Sequence, residues 1–187
     1  MRRKRKQVGG NQVEQYEKLK SLSSRILHDT NGYDESYIVG SMAIALHEEK
    51  NSKKIWGAYP NDIDIVIPVK KGNMVIVPDI PGMTSNNQKA TKGATFVDNE
   101  DPTLSVDVIQ GPILQSYDND VVIIDGLRVL NVGLLKKRYE EVISDLELDI
   151  KPEKEKLSRL NALPTTDLSV RHDDDLSLRL GEGSKLF

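Results

Sequence analysis

The run of sequence that decides the fold is DIDIVI at residues 62–67. Side chains on a β-strand alternate between its two faces, so Asp62 and Asp64 point to one face while Ile63 and Ile65 point to the other. Two neighbouring carboxylates repel each other, and a divalent cation bound by their oxygens relieves that repulsion. The run therefore predicts a central strand with a charged site. Taken alone, it fits an ordinary amphipathic strand equally well.

A glycine and a serine stand at a predicted strand-to-helix corner upstream of this run. The apolar stretch Tyr37–Val39 predicts a short strand, and Gly40 and Ser41 lead from it into a predicted helix. A glycine lets the backbone approach a phosphate closely, a serine hydroxyl adds a donor, and a helix start offers free amides. The corner is therefore a candidate phosphate site, although a glycine before a helix is often only a turn.

A third carboxylate, Asp107, lies on a second predicted strand at Leu104–Gln110. An aspartate between valines needs a partner, because burying an unpaired charge is costly. Nucleotidyl transfer uses carboxylates of this kind to hold two divalent ions about 3.5–4 Å apart, at the attacking and leaving oxygens. Asp62 and Asp64 together with Asp107 fit that requirement.

Cationic side chains are also needed to neutralise the phosphates of a nucleotide. Lys136 and Lys137 lie on a predicted late helix and are candidates for this contact. A solvated helix face is the simpler interpretation of both lysines. The histidines share no metal-binding spacing, so we expect His28, His47 and His172 at the surface. Trp56 is a candidate for stacking on a base, or an aromatic beside the core.

Apolar periodicity and turn residues predict the other elements. They are a helix that begins after Asn11 and ends near Asn31–Gly32, a mobile loop from Glu48 to Pro60, a strand at Met74–Val77 paired with the central strand, a polar loop from Asp79 to Lys92, a strand at Ala94–Val97, a hairpin at Val121–Leu130 around Asp125–Gly126, and helices at Val132–Leu146 and Glu153–Leu163.

The composition fits one globular domain. The chain has 187 residues, of which 37% are apolar and 29% are charged. Cysteine is absent, which excludes disulfides, thiolate catalysis and cysteine-based zinc sites. The net charge of −3 argues against a whole-surface nucleic-acid binder. The sequence contains no run of about 18 apolar residues and therefore predicts no membrane-spanning helix. We expect a cytoplasmic protein with no membrane partner.

The order of these motifs resembles a known signature. Val39-Gly40-Ser41, then Asp62-Ile63-Asp64-Ile65, then Val106-Asp107-Val108 is similar to the pattern of the DNA polymerase β-like nucleotidyltransferase superfamily. In that superfamily a Gly-Ser or Gly-Gly precedes an Asp-x-Asp strand, and a third carboxylate follows.

Within the superfamily, residues 40–46 with 61–64 look most like the nucleotidyltransferase toxins of abortive-infection systems (AbiEii type). The stretches 129–136 and 151–163 are also similar to the hairpin, lysine-bearing helix and charged helix of that group. The resemblance covers roughly residues 36–163. With the charge pattern of the two ends, we expect a flexible basic arm at 1–11, a nucleotidyltransferase core at 12–131, C-terminal helices at 132–163 and a polar tail at 164–187.

The resemblance implies an α+β nucleotidyltransferase fold, with a mixed central sheet flanked by helices and a short C-terminal helical part. It implies two Mg²⁺ ions as cofactor and an NTP as donor. Asp62 and Asp64 would hold both metals, while Asp107 would complete one metal site and accept the proton of the acceptor hydroxyl. Gly40 and Ser41 would hold the phosphates, and we expect Lys136 to assist them.

The acceptor stays open, because this superfamily modifies RNA or tRNA ends, proteins and small molecules on one fold. A toxin of this type would have an antitoxin or a larger protein as partner. The alternative function is a catalytically inactive module on the same fold that binds a nucleotide or a partner.

Overall fold

The structure is a computed structural model that describes residues 9–69, 76–85, 93–112, 120–145 and 151–164. These residues form four helices and seven strands. The helices are α1 (Gly9–Asp29), α2 (Gly40–Ser52), α3 (Val132–Asp145) and α4 (Lys151–Asn161); the strands are β1 (Tyr37–Val39), β2 (Ile63–Val69), β3 (Met83–Ser85), β4 (Gly93–Asp98), β5 (Ser105–Pro112), β6 (Val121–Ile124) and β7 (Leu127–Leu130).

All seven strands belong to one mixed sheet in the order β3-β4-β5-β2-β1-β7-β6. β2 lies in the middle, antiparallel to β1 and parallel to β5. β1 also runs parallel to β7, whereas the pairs β3–β4, β4–β5 and β6–β7 are antiparallel. The predicted α+β class, with a mixed central sheet flanked by helices and a short helical part after it, is confirmed.

The core forms where the helices cover this sheet. The apolar stripe of α1 is buried at Tyr16, Leu19 and Ile26, as its three- and four-residue spacing predicts. α2 is buried along seven consecutive residues, from Met42 to Glu48. A helix buried on all sides lies inside the fold, so α2 fixes the position of whatever stands at its ends.

The strand β2 is predicted correctly as the centre of the sheet, and its composition explains why. Ile63, Ile65 and Val66 are at most 2% exposed, which is typical of a strand covered on both faces. The β6–β7 hairpin is also confirmed: Asp125 and Gly126 have φ angles of +49° and +81°, as a type I′ turn requires.

Two predictions about the segments that follow β2 in the sequence are wrong. The segment Met74–Val77 is predicted to be the hairpin partner of β2; Met74 and Val75 lie outside the described residues, and Ile76 and Val77 are described but belong to no strand. The neighbours of β2 are β1 and β5 instead. The predicted loop Asp79–Lys92 contains the short strand β3, while residues 86–92 lie outside the described part.

The predicted loop Glu48–Pro60 begins too early, because α2 continues to Ser52. Lys53 then ends the helix in the left-handed conformation, and its amide donates to Glu49 O. His47 is also buried, contrary to prediction. Its Nε2 donates to Leu130 O over 2.9 Å, and burial lowers its pKa. A neutral imidazole therefore fits this position.

Several predicted features fall outside the described residues. They include most of the basic arm, the tail from residue 165 and His172. In the parts of the chain that the structure describes, no helix is long and apolar enough to cross a membrane.

Candidate active site

The parallel pairing of β2 with β5 brings two of the predicted site aspartates together. Asp64 and Asp107 are register partners in this pair, so their side chains leave neighbouring backbone positions on the same face of the sheet. Asp62 lies directly before β2, two residues from Asp64. We call Asp62, Asp64 and Asp107 the carboxylate cluster.

The predicted corner lies against the same cluster, because β1 is the other neighbour of β2. Val39 is the register partner of Asp64, and Gly40 follows it as the first residue of α2. Gly40 has a φ angle of +67°, and a Cβ atom on it would stand 1.8 Å from Oδ2 of Asp64. A side chain cannot occupy that space, so the close approach of this corner to Asp64 requires glycine. Ser41 follows in the first turn of α2, half-buried.

Mutual repulsion within the carboxylate cluster is visible in its pKa values. Burial first, and the charges of Asp62 and Asp107 next, raise the pKa of Asp64 from its ordinary value to about 7. Burial and the charge of Asp107 also raise the pKa of Asp62. The folded chain therefore disfavours three ionised carboxylates at this place unless positive charge is supplied.

Two cationic side chains act on Asp64 against this trend. Lys156 on α4 and Arg138 on α3 lower its pKa, and Lys156 also lowers that of Asp62. The Nζ atom of Lys156 lies 5.6 Å from the centre of the Tyr139 ring. Tyr139 is itself near the cluster, since its pKa is raised by burial first and by the charge of Asp64 second.

Lys136 is the lysine that the sequence predicts as a contact for the nucleotide phosphates. Lys136 is half-buried on α3, but the cations with the largest effect on Asp64 are Lys156 and Arg138. A contact of Lys136 with a nucleotide stays a prediction. Lys156 carries no signal in the sequence, because one lysine in the charged segment KPEKEK does not differ from its neighbours. Only the packing of α4 against α3 and α2 distinguishes it.

Asp107 has a hydrogen-bond partner on the next strand. The hydroxyl of Thr95, its register partner on β4, donates to Oδ1 of Asp107 over 2.6 Å. This bond fixes the orientation of the carboxylate at the middle of the sheet. Sequence alternation could have placed Thr95 on a strand, but not beside Asp107.

The three carboxylates are neighbours without being a preassembled metal centre. Among the described residues, no group of three or more His, Cys, Asp or Glu side chains lies close enough to hold a metal ion together. The backbone places Asp64 and Asp107 at partner positions of β2 and β5, with Asp62 directly before β2.

No family model matches the chain, and no curated protein matches it. Solved structures with similar folds do exist. They include JHP933 from Helicobacter pylori (13% identity, TM-score 0.38), a protein of H. pylori provisionally assigned as a nucleotidyltransferase (14%, 0.40) and the Megavirus polyadenylate synthase (13%, 0.47).

The matched regions cover 70%, 71% and 86% of this chain, in the same order. They cover 56%, 59% and 39% of the respective solved chains, so this chain spans well under two thirds of the length of each.

Proposed function

We propose that the protein is a metal-dependent nucleotidyltransferase that moves a nucleoside monophosphate from an NTP to an acceptor. One observation carries the proposal: Asp62, Asp64 and Asp107 lie close together on the sheet, where their negative charges repel one another. Gly40 lies against Asp64 at the same position. Structural carboxylates are normally paired with cations or hydrogen bonds. A cluster that accumulates negative charge beside a helix start fits a site for cations and phosphate.

The residues present fit Mg²⁺ in the chemistry of their donors. The cluster offers only carboxylate oxygens, which are the ligands of this ion. Burial first, and neighbouring carboxylates next, raise the pKa of Asp62 and of Asp64, and bound cations would favour their ionised forms. We propose Asp62 and Asp64 as ligands of two Mg²⁺ ions and Asp107 as the third ligand. When bound, such ions stabilise charge on the attacking and leaving oxygens.

Gly40 and Ser41 would bind the phosphates through the backbone amides at the start of α2 and through the serine hydroxyl. The acceptor oxygen would form a new bond to the α-phosphorus while the bond to pyrophosphate breaks. Asp107, oriented by Thr95 through one oxygen, would accept the proton of the acceptor hydroxyl. Lys136 stays a candidate for the phosphates of the leaving pyrophosphate.

The finer assignment rests on the sequence motifs. The similarity of residues 40–46 and 61–64 to AbiEii-type toxins supports a cytoplasmic toxin with an antitoxin partner. We propose RNA or tRNA ends, proteins and small molecules as the acceptors to be tested.

A binding module without catalysis is the second candidate. The observation that favours it is that no three carboxylates converge in the described residues. Such a module would bind Mg²⁺ and a nucleotide but would transfer nothing.

Labelled NTPs distinguish the two candidates. Each of the four NTPs, carrying a labelled α-phosphate, is incubated with Mg²⁺, the protein and either tRNA, total RNA, cell protein or a small-molecule extract. We expect label in one acceptor fraction, with a loss of about 100-fold or more in Asp62→Asn and Asp64→Asn. The control is Asp101→Asn, since Asp101 pairs with Lys18 of α1 and belongs to neither the carboxylate cluster nor the corner at Gly40.

Transfer that survives both cluster substitutions would contradict the proposal. Nucleotide binding in calorimetry without transfer to any fraction would support the binding module. Growth arrest on expression, abolished by Asp64→Asn and not by Asp101→Asn, would support the toxin assignment.

A further inference from the structure

An exposed tryptophan lies among lysines at the end of α2 and in the loop that follows this helix. Trp56, the only tryptophan of the chain, is 43% exposed. Lys50 in the last turn of α2, and Lys53 and Lys54 directly after the helix, are exposed as well. We call these four residues the basic patch. They do not belong to the carboxylate cluster, and the proposed transfer step uses none of them.

The acidic side chains nearest to the basic patch in the sequence already have other partners. Glu48 is fully buried and accepts two hydrogen bonds of 2.8 Å from Nε and Nη2 of Arg159 on α4. Glu49 pairs with Lys20 of α1 over 3.1 Å. Among the residues that the structure describes, no carboxylate forms an ion pair with the three lysines of the patch. The patch is therefore locally positive in a chain whose net charge is −3.

Hydrogen bonds hold the backbone that carries the indole. The amide of Trp56 donates to Oε2 of Glu48 over 3.1 Å, so the loop is tied to a buried carboxylate. Oγ of Ser52 lies 2.8 Å from the carbonyl oxygens of both Glu48 and Lys54. Because the backbone is fixed at these points, a ligand that stacks on the indole has little additional chain to order.

Lys53 occupies a backbone conformation that usually belongs to glycine. Its φ angle is +57°, and its amide donates to Glu49 O over 2.9 Å at the end of α2. Glycine is the common residue at a left-handed helix end, because a Cβ atom is unfavourable in this conformation. The lysine therefore brings a positive charge to a position where local backbone preference favours glycine.

Neither the tryptophan nor the lysines alone indicate a binding surface. A single exposed apolar residue is ordinary on a protein surface, and cations at a helix end interact favourably with the helix dipole. An exposed aromatic face beside several cations is different, because single-stranded nucleic acid needs both: its bases are free to stack, and its phosphates need positive charge. The bases of a duplex are already stacked on each other.

We propose that the basic patch binds single-stranded RNA, with its lysines on phosphates and the indole of Trp56 stacked on a base. Of the acceptors proposed above, RNA is the one that carries both groups. Trp56 and Asp62 are six residues apart, so their backbones lie at most about 22 Å from each other. An RNA end at the carboxylate cluster leaves neighbouring nucleotides within reach of the patch. That role as acceptor rests on the nucleotidyltransferase function proposed above, whereas the binding does not.

The fluorescence of Trp56 reports the contact directly, because the chain has no other tryptophan. The full chain is titrated, without Mg²⁺ or NTP, with a single-stranded RNA of about 12 nucleotides, a length comparable to known single-strand binding sites. We expect quenching on binding, since a base stacked on an indole quenches its emission. Inorganic polyphosphate is the control ligand, because it offers negative charge and no base. It should compete with the RNA without quenching.

Lys53→Gly tests the contribution of charge without risk to the fold. It removes one cation and relieves the left-handed conformation, so it should be at least as stable as the wild-type protein. We expect it to weaken RNA binding about fourfold near 0.15 M salt, and to reduce the slope of log Kd against log salt by about 0.7. Adding Lys50→Met and Lys54→Met should reduce the slope by about 2 in total. Lys18→Met is the charge-matched control, because Lys18 pairs with Asp101 outside the patch.

Two substitutions of Trp56 separate stacking from apolar packing. Trp56→Leu keeps an apolar side chain without an aromatic face, whereas Trp56→Phe keeps the face. Binding of these variants is measured by the anisotropy of dye-labelled RNA. We expect leucine to raise Kd about fivefold to 100-fold, the effect of losing one stacked base, and phenylalanine to retain most of the affinity. Polyphosphate binding should be unchanged in both.

Three results would overturn the proposal: no binding of the RNA by the wild-type chain, quenching by polyphosphate as strong as by RNA, or wild-type affinity in both Trp56→Leu and the triple lysine variant. The two proposals fail separately. RNA binding at the patch without transfer of label would refute the catalytic function and support this inference. Transfer of label to protein or a small molecule, by a chain that binds no RNA, would refute this inference and support the catalytic function.

Discussion

Replacing Asp64 by asparagine is expected to stabilise the metal-free protein at pH 8. The folded protein raises the pKa of this carboxyl from 3.8 to about 7, through burial first and through the charges of Asp62 and Asp107 next. At about 1.4 kcal/mol per pKa unit, ionising Asp64 costs the folded state about 4 kcal/mol relative to the unfolded chain. Residual solvent access reduces this, so we expect about 2–4 kcal/mol.

The pH window follows from the same shift. Between pH 4 and pH 7 the folded state still holds a proton that the unfolded chain has lost, so the stability of the wild-type protein falls as the pH rises through this window. Asp64→Asn removes this titrating carboxyl group, so the stability of the variant should depend less on pH across the window. The two proteins should therefore differ most above pH 7 and little near pH 4.

Urea unfolding in the presence of a chelator measures the effect, with Trp56, the single tryptophan of the chain, as the fluorescence probe. Asp98→Asn is the control of opposite sign, because amides of the Asp98–Asp101 turn and Arg25 lower the pKa of Asp98. Its stabilising contribution is present above the ordinary pKa and is lost as the pH falls. If Asp64→Asn were less stable than wild type at pH 8, or equally affected at all pH values, the repulsion described for the cluster would be refuted.

Three further substitutions test the geometry around the cluster. Gly40→Ala introduces a Cβ atom against Asp64 at a left-handed φ angle, so it should cost at least about 1 kcal/mol in urea unfolding and abolish transfer. Thr95→Val removes the hydroxyl that orients Asp107, and should cost about 1.5 kcal/mol and lower kcat, whereas serine at this position should restore both. Arg128→Met removes a donor shared by backbone carbonyls at the end of α1 and the loop before β1, and should cost about 2–4 kcal/mol in thermal unfolding without moving KM; a normal Tm would contradict it.

Local patterns predicted the elements that depend on nearby residues. The alternation at residues 62–67, the Asp125–Gly126 turn and the apolar stripe of α1 all correspond to the observed structure. Each of these signals concerns side chains within one element or one turn, where periodicity and backbone preference decide the outcome.

The errors share a different cause, which is long-range packing. Glu48 lies in a charged run, which favours a solvent-exposed loop, yet it is buried because Arg159 reaches it from 111 residues away. Met74–Val77 follows β2 at hairpin distance, but β1 and β5 occupy both edges of that strand. β3 is only three residues long and partly exposed, so it lacks the apolar alternation that identifies a strand.

The residues of the candidate site also fall into two groups: those that local sequence identifies and those that only long-range packing brings together. Asp62, Asp64 and the corner at Gly40 were found because they lie within one stretch of sequence, and Asp107 because an aspartate within an apolar strand is conspicuous. The register that makes Asp107 the neighbour of Asp64 depends on a parallel pairing that no local signal specifies. Lys156 and Thr95 became visible only through the packing of other elements.

The helix α2 connects these separate pieces. Its first residue, Gly40, lies against Asp64, and Glu48 near its other end holds Arg159, eight residues or about 12 Å along the axis. α2 is buried from Met42 to Glu48, so close packing holds both parts of the helix in place. The corner at Gly40 and α4 therefore both pack on one buried helix. Through this arrangement α4, a helix far along the sequence, packs on the same helix that begins beside the carboxylate cluster.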